Sequence, residues 1–177
     1  MANYYLDIET TGLDPLKSKI VTIQYQKLGM DGEPIEELNI LKSWDSSEKE
    51  ILIEFSKMIT TNVWDFIAHG YNLKFEHDFF YERCKANGLE PIDILGRPHV
   101  DLHPIGIMMN GGNFKGSGLD KISGKQGNGM DFIEAYCHDD YEKAEAYIIR
   151  EAREYIKLYC FLKKEMPVLL GKFREVL

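Results

Sequence analysis

The fold is decided near the amino terminus by the stretch Leu6-Asp7-Ile8-Glu9-Thr10-Thr11-Gly12-Leu13-Asp14. Side chains alternate across a β-strand, so Asp7 and Glu9 share one face while Leu6 and Ile8 point to the opposite, apolar face. Two carboxylates about 7 Å apart on a partly buried sheet repel each other, and a cation between them removes that penalty. The threonines, glycine and aspartate that follow predict a tight turn directly after the strand.

The paired carboxylates of this strand predict a metal site. Hard divalent cations such as Mg²⁺ and Mn²⁺ prefer an environment made only of oxygen ligands. The competing hypothesis is an edge strand with a solvated acidic face. The apolar neighbours within the strand and the turn after it favour the metal hypothesis.

The composition fits one folded domain spanning residues 1–177. Hydrophobic residues make up 44% of the chain, which is enough to build a sizeable core. The net charge of −8 argues against a long electrostatic footprint on nucleic acid. It is compatible with a protein that holds one strand end, because bound divalent cations cancel part of the negative charge where a phosphate docks.

We expect neither a secretory signal nor a membrane span. Its start, MANYYLDIE, lacks a basic region followed by an apolar stretch, so no secretory signal is expected. No apolar run approaches the length of a membrane span, and we expect no membrane contact. The three cysteines are widely spaced and odd in number, which disfavours a zinc site or a disulfide framework. We therefore expect a reduced, cytoplasmic protein.

Hydrophobic periodicity predicts an α/β fold with a mixed sheet. Alternating apolar residues on both sides of an Asp-Gly turn predict an antiparallel meander of three strands over residues 4–9, 20–28 and 35–41. The rest of the chain is expected to run helix, strand, helix, strand and then helices, with strands over 63–68 and 98–102 and helices from 46, over 72–86 and over 139–166. This order indicates parallel strands added to the meander and helices on both faces.

Three further stretches have local signatures. The region from Gly111 to Gly129 contains seven glycines but lacks the GxxxxGK[ST] pattern, so we expect a mobile loop with a short helix over 119–122. Pro167 is expected to end or kink the last helix. The HVDLH stretch at 99–103 would put two histidines and an aspartate on one strand face, but we expect an ordinary strand end there and not a metal triad.

The stretch LDIETTGLD resembles the first motif of the DEDD 3′–5′ exonucleases, which have the ribonuclease H-like fold and include polymerase proofreading domains. The second motif of that family is Asn, Phe and an acid at the start of a helix. Asn72 and Phe75 match it, and the acid that follows is Glu76. Asp78 comes two residues late, and this shift turns a helical side chain by roughly 200°. We assign Glu76, against the competing hypothesis of a solvent-facing acid.

The third motif of the tyrosine branch is Tyr, three residues and Asp on a carboxyl-terminal helix. Tyr147 and Glu151 have this spacing and share one helical face. The histidine branch has a His at the position of Ala146, so the tyrosine branch is the better match. Two of the four expected acids are Glu instead of Asp. Their longer side chains lose more rotamers on ordering, so weak activity or a preference for Mn²⁺ would fit.

The resemblance, which runs from about residue 3 to about residue 165, implies a ribonuclease H-like sheet flanked by helices. It implies two divalent cations, Mg²⁺ or Mn²⁺, held by four acids, with Tyr147 aiming the attacking water. The four implied metal ligands are Asp7, Glu9, Glu76 and Glu151. The implied substrate is the 3′ end of single-stranded DNA or RNA. The residues implied to contact it are Thr10, Thr11, Gly12, Leu13, Tyr71 and Asn72.

The sequence leaves other functions open. The chain could be a catalytically weak or inactive nucleic-acid-binding or adaptor module of the same fold. It could also be a different metal-dependent phosphodiesterase or phosphatase, since a fold alone does not determine function. In the exonuclease hypothesis, any processivity would have to come from a protein partner.

Overall fold

The computed structural model describes residues 1–124 and 129–176. Its sheet has five strands in the order β3-β2-β1-β4-β5. In chain order these are β1 (Asn3–Thr10), β2 (Ile20–Leu28), β3 (Asn39–Lys42), β4 (Ile67–Gly70) and β5 (His99–Asp101). The first three strands pair antiparallel, while β4 is parallel to β1 and β5 is parallel to β4. The predicted mixed sheet of an α/β fold is confirmed.

The helices lie on both sides of this sheet. They are α1 (Glu48–Ser56), α2 (Leu73–Ala86), α3 (His103–Met109), α4 (Leu119–Ile122), α5 (Gly129–Cys137) and α6 (Tyr141–Glu175). Ser47 caps α1, because its Oγ accepts a hydrogen bond from the Glu50 amide at 3.2 Å. The chain leaves α2 through Gly88, whose φ of 70° is a left-handed conformation that glycine adopts without strain. Within the described ranges, no helix combines the length and the apolar composition that a membrane crossing requires.

Strand β1 separates two layers of the core. Leu6 and Ile8 pack on one face, in the cluster that contains Phe55 of α1 and Phe79 of α2. Tyr5 packs on the other face, where α6 covers the sheet. Because side chains alternate along a strand, Asp7 and Glu9 follow Tyr5 on the α6 face. The fold therefore turns both carboxylates towards the helix that carries the third predicted motif.

Some elements differ from the sequence prediction. Strand β3 begins at Asn39 and not at the predicted residue 35. Residue Ile35 is exposed and comes just after a turn that is closed by a hydrogen bond between Gly29 and Glu33. Helix α6 continues through Pro167 to Glu175, since the missing hydrogen bond falls on an exposed stretch where water can satisfy the freed carbonyl. The short helices α3 and α5 were not predicted. Part of the predicted mobile loop, residues 125–128, lies outside the described residues.

Strand β4 carries a buried imidazole, His69. Its ring lies edge-on to that of Tyr159, with the ring centroids 5.0 Å apart. Neither ring nitrogen has a hydrogen-bond partner within the described part of the chain. Burial, assisted by the charge of Lys163, lowers the pKa of His69 from its usual 6.5 to about 4. His69 is therefore neutral in the folded protein near neutral pH.

We expect His69 to make the protein acid-sensitive. Between pH 6.5 and 4 the unfolded chain binds a proton on this imidazole and the folded chain does not, so the free energy of unfolding falls as the pH is lowered. The pKa difference corresponds to about 3 kcal/mol. Urea unfolding across this window should give a flatter pH dependence for His69→Gln than for the wild-type protein. His138→Gln, at an exposed histidine, is the control, and equal slopes for wild type and His69→Gln would contradict the assignment.

Candidate active site

Asp7 lies at the floor of a cleft and is held by a buried polar chain from strand β2. Gln24 Nε2 donates to Asp7 Oδ2 at 2.7 Å, and Thr22 Oγ1 donates to Gln24 Oε1 at 3.0 Å. Thr22 and Gln24 are completely buried. The Tyr5 hydroxyl also donates to Asp7. The rotamer of Asp7 is thus fixed from two strands, by residues that the sequence analysis did not single out.

Glu76 meets Asp7 from the first turn of α2. Its side chain is only 3% exposed and hydrogen-bonds to Asp7. Burial, followed by the negative charge of Asp7, holds the pKa of Glu76 well above its usual range. Burial also raises the pKa of Asp7, although hydrogen bonds from Gln24 and others oppose this. A hydrogen bond between two carboxyl groups requires a proton on one of them, and burial raises the pKa of both Asp7 and Glu76, which favours a proton shared within the pair.

Asp78 lies on a different side of α2. Its Oδ2 pairs with Lys74 Nζ at 2.6 Å in contact with solvent. In contrast, Glu76 Oε2 is buried and makes no hydrogen bond to any residue of the described ranges. The helical rotation expected from the sequence therefore separates the two acids, and it is Glu76 that faces β1.

The amino terminus of α2 is anchored by Asp101 at the end of β5. Asp101 accepts hydrogen bonds from the amides of Asn72 at 2.8 Å, Leu73 at 3.0 Å and His103 at 2.9 Å. Asn72 has a φ of 68°, a left-handed conformation that asparagine tolerates better than most residues. Asp101 thereby fixes the turn of α2 that carries Glu76. His103 begins α3 and leaves the strand, so the HVDLH stretch is a strand end with a capping carboxylate.

Helix α6 brings Tyr147 and Glu151 to the same strand. Tyr147 is buried with its ring centroid 6.0 Å from that of Phe132. Burial, then the charges of Glu9 and Asp7, raise the pKa of Tyr147 far above its usual value, so its hydroxyl remains a neutral hydrogen-bond donor. Glu151 follows one turn later and borders the cleft together with Asp7.

The cleft has a volume of about 260 Å³ and lies beside the carboxyl ends of β1 and β4. Its lining residues are Tyr5, Asp7, Tyr71, Asn72, His103, Gly118, Leu119, Glu151 and Tyr155. One wall is tied to the glycine-rich segment, because the Tyr71 hydroxyl donates to the carbonyl oxygen of Ser117 and His103 Nε2 lies 3.0 Å from Ser117 Oγ. Carboxyl ends of parallel strands are where α/β folds commonly bind ligands.

The turn after β1 forms the other side of the site. Thr10 Oγ1 donates to the carbonyl of Gly12 at 2.7 Å, and Thr11 Oγ1 accepts from the Lys19 amide at 3.0 Å. A Cβ on Gly12 would lie 2.7 Å from Ser18 Oγ, so a larger residue would displace that side chain. Leu13 projects from this turn and is 86% exposed, which leaves an apolar side chain available for a ligand.

The predicted metal ligands are brought around one strand but do not form a closed cage. Within residues 1–124 and 129–176, no group of three or more Asp, Glu, His or Cys side chains has the proximity of a ready-made metal site. Direct contact is made by the pair Asp7 and Glu76. The donor chemistry nonetheless fits a hard divalent cation, because the pair offers only oxygen ligands and the buried Glu76 Oε2 accepts no hydrogen bond from the residues that the structure describes.

A model of the RNase H superfamily matches residues 4–131 of the sequence. The chain belongs to the RNase H superfamily. This confirms the superfamily that the sequence resemblance implied. A search of curated proteins finds no match to this RNase H superfamily chain.

Solved structures of exonuclease I have a similar fold. The zinc-bound form of E. coli exonuclease I with single-stranded DNA aligns at a TM-score of 0.68 and 12% identity, covering 97% of this chain and 42% of that chain. The E. coli exonuclease I complex with a dT13 oligonucleotide aligns at a TM-score of 0.67 and 11% identity, covering 97% of this chain and 43% of that chain. An exonuclease I complex with SSB-Ct aligns at a TM-score of 0.65 and 12% identity, covering 97% of this chain and 43% of that chain. The RNase H superfamily chain thus spans about two fifths of the length of these neighbours, and at such identities the likeness establishes the fold.

Proposed function

We propose that this chain is a metal-dependent 3′–5′ exonuclease that removes nucleotides from single-stranded ends. The observation that carries the proposal is the buried contact of Asp7 with Glu76 at the carboxyl end of β1. Two buried carboxyl groups in contact are unfavourable unless a proton or a cation lies between them. Two features of α6 support the proposal, because Glu151 borders the cleft that contains Asp7 and the charges of Glu9 and Asp7 act on Tyr147.

The metal ions would be Mg²⁺ or Mn²⁺, held by the acidic side chains around β1. These ligands are Asp7, Glu9, Glu76 and Glu151. When bound, such ions lower the pKa of a coordinated water and neutralise charge on the phosphate. The buried Oε2 of Glu76, which has no hydrogen-bond partner among the described residues, supports this ligand set. Gln24 and Tyr5 hold Asp7 in one orientation, which lowers the entropic cost of ordering a ligand.

The other site residues position the substrate. Tyr147 keeps its proton and donates a hydrogen bond to the attacking water or to a phosphate oxygen. The exposed Leu13 wedges beside the terminal base, next to the backbone of Thr10 and Thr11. The Asn72 side chain makes no capping hydrogen bond in α2, so its amide is available to the nucleotide. Tyr71, Asn72 and Gly12 complete this surface.

Single-stranded DNA is the substrate that the fold comparison favours. The neighbouring exonuclease I structures contain single-stranded DNA or a dT13 oligonucleotide, and one contains SSB-Ct. The same chemistry would act on RNA, since the phosphodiester bond is common to both. A protein partner would supply processivity, because the chain's net charge of −8 gives it little hold on a long strand.

A 5′-labelled single-stranded oligonucleotide tests the proposal. We expect a ladder that shortens from the 3′ end in Mg²⁺ or Mn²⁺ and no products in excess chelator. A circular single strand of the same sequence should remain intact, which separates an exonuclease from an endonuclease. Cleavage of the circle, or no product with either ion at high protein concentration, would contradict the proposal.

A catalytically weak nucleic-acid-binding module is the second candidate. It is favoured by the absence, among the residues that the structure describes, of three ligand-type side chains already grouped for a metal. Binding of a fluorescent single strand without turnover in either metal would support this candidate over the exonuclease.

A further inference from the structure

The carboxyl-terminal part of α6 projects from the domain as a bare helix. Every residue from 163 to 176 is exposed, whereas Leu162 and many earlier residues of α6 are buried against the sheet. A helical segment of this length that buries little apolar surface is only marginally stable in water. We call residues 161–176, which include the buried Leu162, the projecting segment, and burial of its exposed apolar side chains would stabilise the helix.

The projecting segment carries a concentration of exposed apolar side chains. Six of these side chains are each between 44% and 59% exposed: Phe161, Met166, Val168, Leu169, Leu170 and Phe173. Together with Met108 and Met109 of α3, part of this set lines a groove of about 440 Å³. Contiguous exposed apolar surface of this kind marks a site of protein contact. The groove is separate from the cleft that contains Asp7.

Two charged side chains on the groove side of the projecting segment indicate which kind of partner the groove can bind. Glu165 and Lys172 both line the groove and lie seven residues, or two helical turns, apart. Val168 and Leu169 lie midway between them in sequence and also line the groove. The face therefore has an acid at one end, a base at the other and an apolar centre.

We propose that this face binds a second copy of the same chain, with the two projecting segments antiparallel. A twofold axis between Val168 and Leu169 brings Glu165 of each copy to the partner's Lys172, and the apolar side chains of each segment enter the other's groove. Such an arrangement is self-complementary, as a twofold interface must be. A parallel pair would instead set glutamate against glutamate and lysine against lysine, which is unfavourable.

The inference does not depend on the proposed nuclease function, because it uses none of the cleft residues. It predicts that dimer formation depends on the opposite charges of Glu165 and Lys172 and on the apolar side chains of Val168 and Leu169. Antiparallel helix pairs gain specificity from charges flanking the apolar seam, while apolar burial provides most of the affinity.

Sedimentation velocity on the full chain tests the pairing. We expect a species of twice the chain mass at about 100 µM that dissociates on dilution, as mass action requires. Leu169→Asp should raise the dissociation constant at least about tenfold, because it buries two carboxylates near the axis. Leu16→Asp is the matched control, since Leu16 is an exposed apolar residue that lies beside Tyr81 of α2, and α2 packs on the face of the sheet opposite α6.

Charge reversal decides the orientation. Glu165→Lys alone and Lys172→Glu alone should each weaken the pair, and the double variant carrying both changes should restore it. Circular dichroism confirms that each variant keeps its helix content. A monomer at every concentration, equal dissociation constants for wild type and Leu169→Asp, or failure of the double reversal to restore association would each overturn the proposal.

Discussion

Replacing Asp7 by Asn is expected to abolish hydrolysis of a single-stranded oligonucleotide while leaving the fold intact. The change removes the negative charge that would hold a divalent cation, and a loss of about 10³-fold corresponds to about 4 kcal/mol of transition-state stabilisation. The amide oxygen can still accept the hydrogen bonds of Gln24 and Tyr5, and the amide nitrogen can donate to Glu76. The melting temperature without metal should therefore be unchanged or higher.

The comparison with Asp7→Ala separates the catalytic role of this residue from its structural one. Alanine leaves Gln24 Nε2 buried without its acceptor, which costs about 1 to 3 kcal/mol. We expect both variants to be inactive and only the alanine variant to melt at a lower temperature. Measurable activity in Asp7→Asn above about a tenth of wild type would mean that the carboxylate charge is not required.

Glu76→Gln is expected to reduce hydrolysis by about 10²- to 10³-fold, whereas Asp78→Asn should stay within about twofold of wild type. Glutamine is neutral and has the shape of a protonated glutamate, the form that burial beside Asp7 favours for Glu76, so the metal-free protein should keep its melting temperature. It cannot supply a charged ligand, so the stabilisation by Mn²⁺ should shrink. Thermal melts with and without Mn²⁺ measure this separately from activity.

Asp78→Asn is the matched control on the same helix. Asp78 is two residues away and its carboxylate pairs with Lys74 in contact with solvent. Loss of activity in Asp78→Asn with full activity in Glu76→Gln would show that the second motif is aligned wrongly. Loss in both would point to a general disturbance of α2, which circular dichroism would detect.

The parts of the fold that the sequence predicted are those encoded by neighbouring residues. Strand β2 lies over the predicted range of 20–28, and Val21, Ile23 and Tyr25 alternate with polar residues along it. Helix α2 lies within one residue of its predicted start, and the rotation along it was enough to distinguish Glu76 from Asp78. Short elements such as α3, with seven residues, carry too little periodicity to be recognised.

The contacts that complete the candidate site depend on tertiary arrangement and could not be predicted. Gln24 meets Asp7 only because the β1–β2 register sets them opposite each other. Asp101 reaches the amino terminus of α2 across 28 residues of sequence, through the parallel pairing of β4 with β5. One signal was present in the sequence: Thr22 and Gln24 alternate with Val21, Ile23 and Tyr25, so they share one strand face, and polar residues buried on such a face commonly have hydrogen-bond partners.

The hydrogen bonds from Thr22 to Gln24 and from Gln24 to Asp7 mean that buried residues of the sheet help to set the orientation of the Asp7 carboxylate in the cleft. Neither Thr22 nor Gln24 can touch a nucleotide, yet both decide which oxygen of the aspartate is left open towards the cleft. A laboratory selection for a different ion preference should therefore recover substitutions at solvent-inaccessible positions of the second strand. Randomising the cleft surface alone would overlook Thr22 and Gln24, which orient this carboxylate.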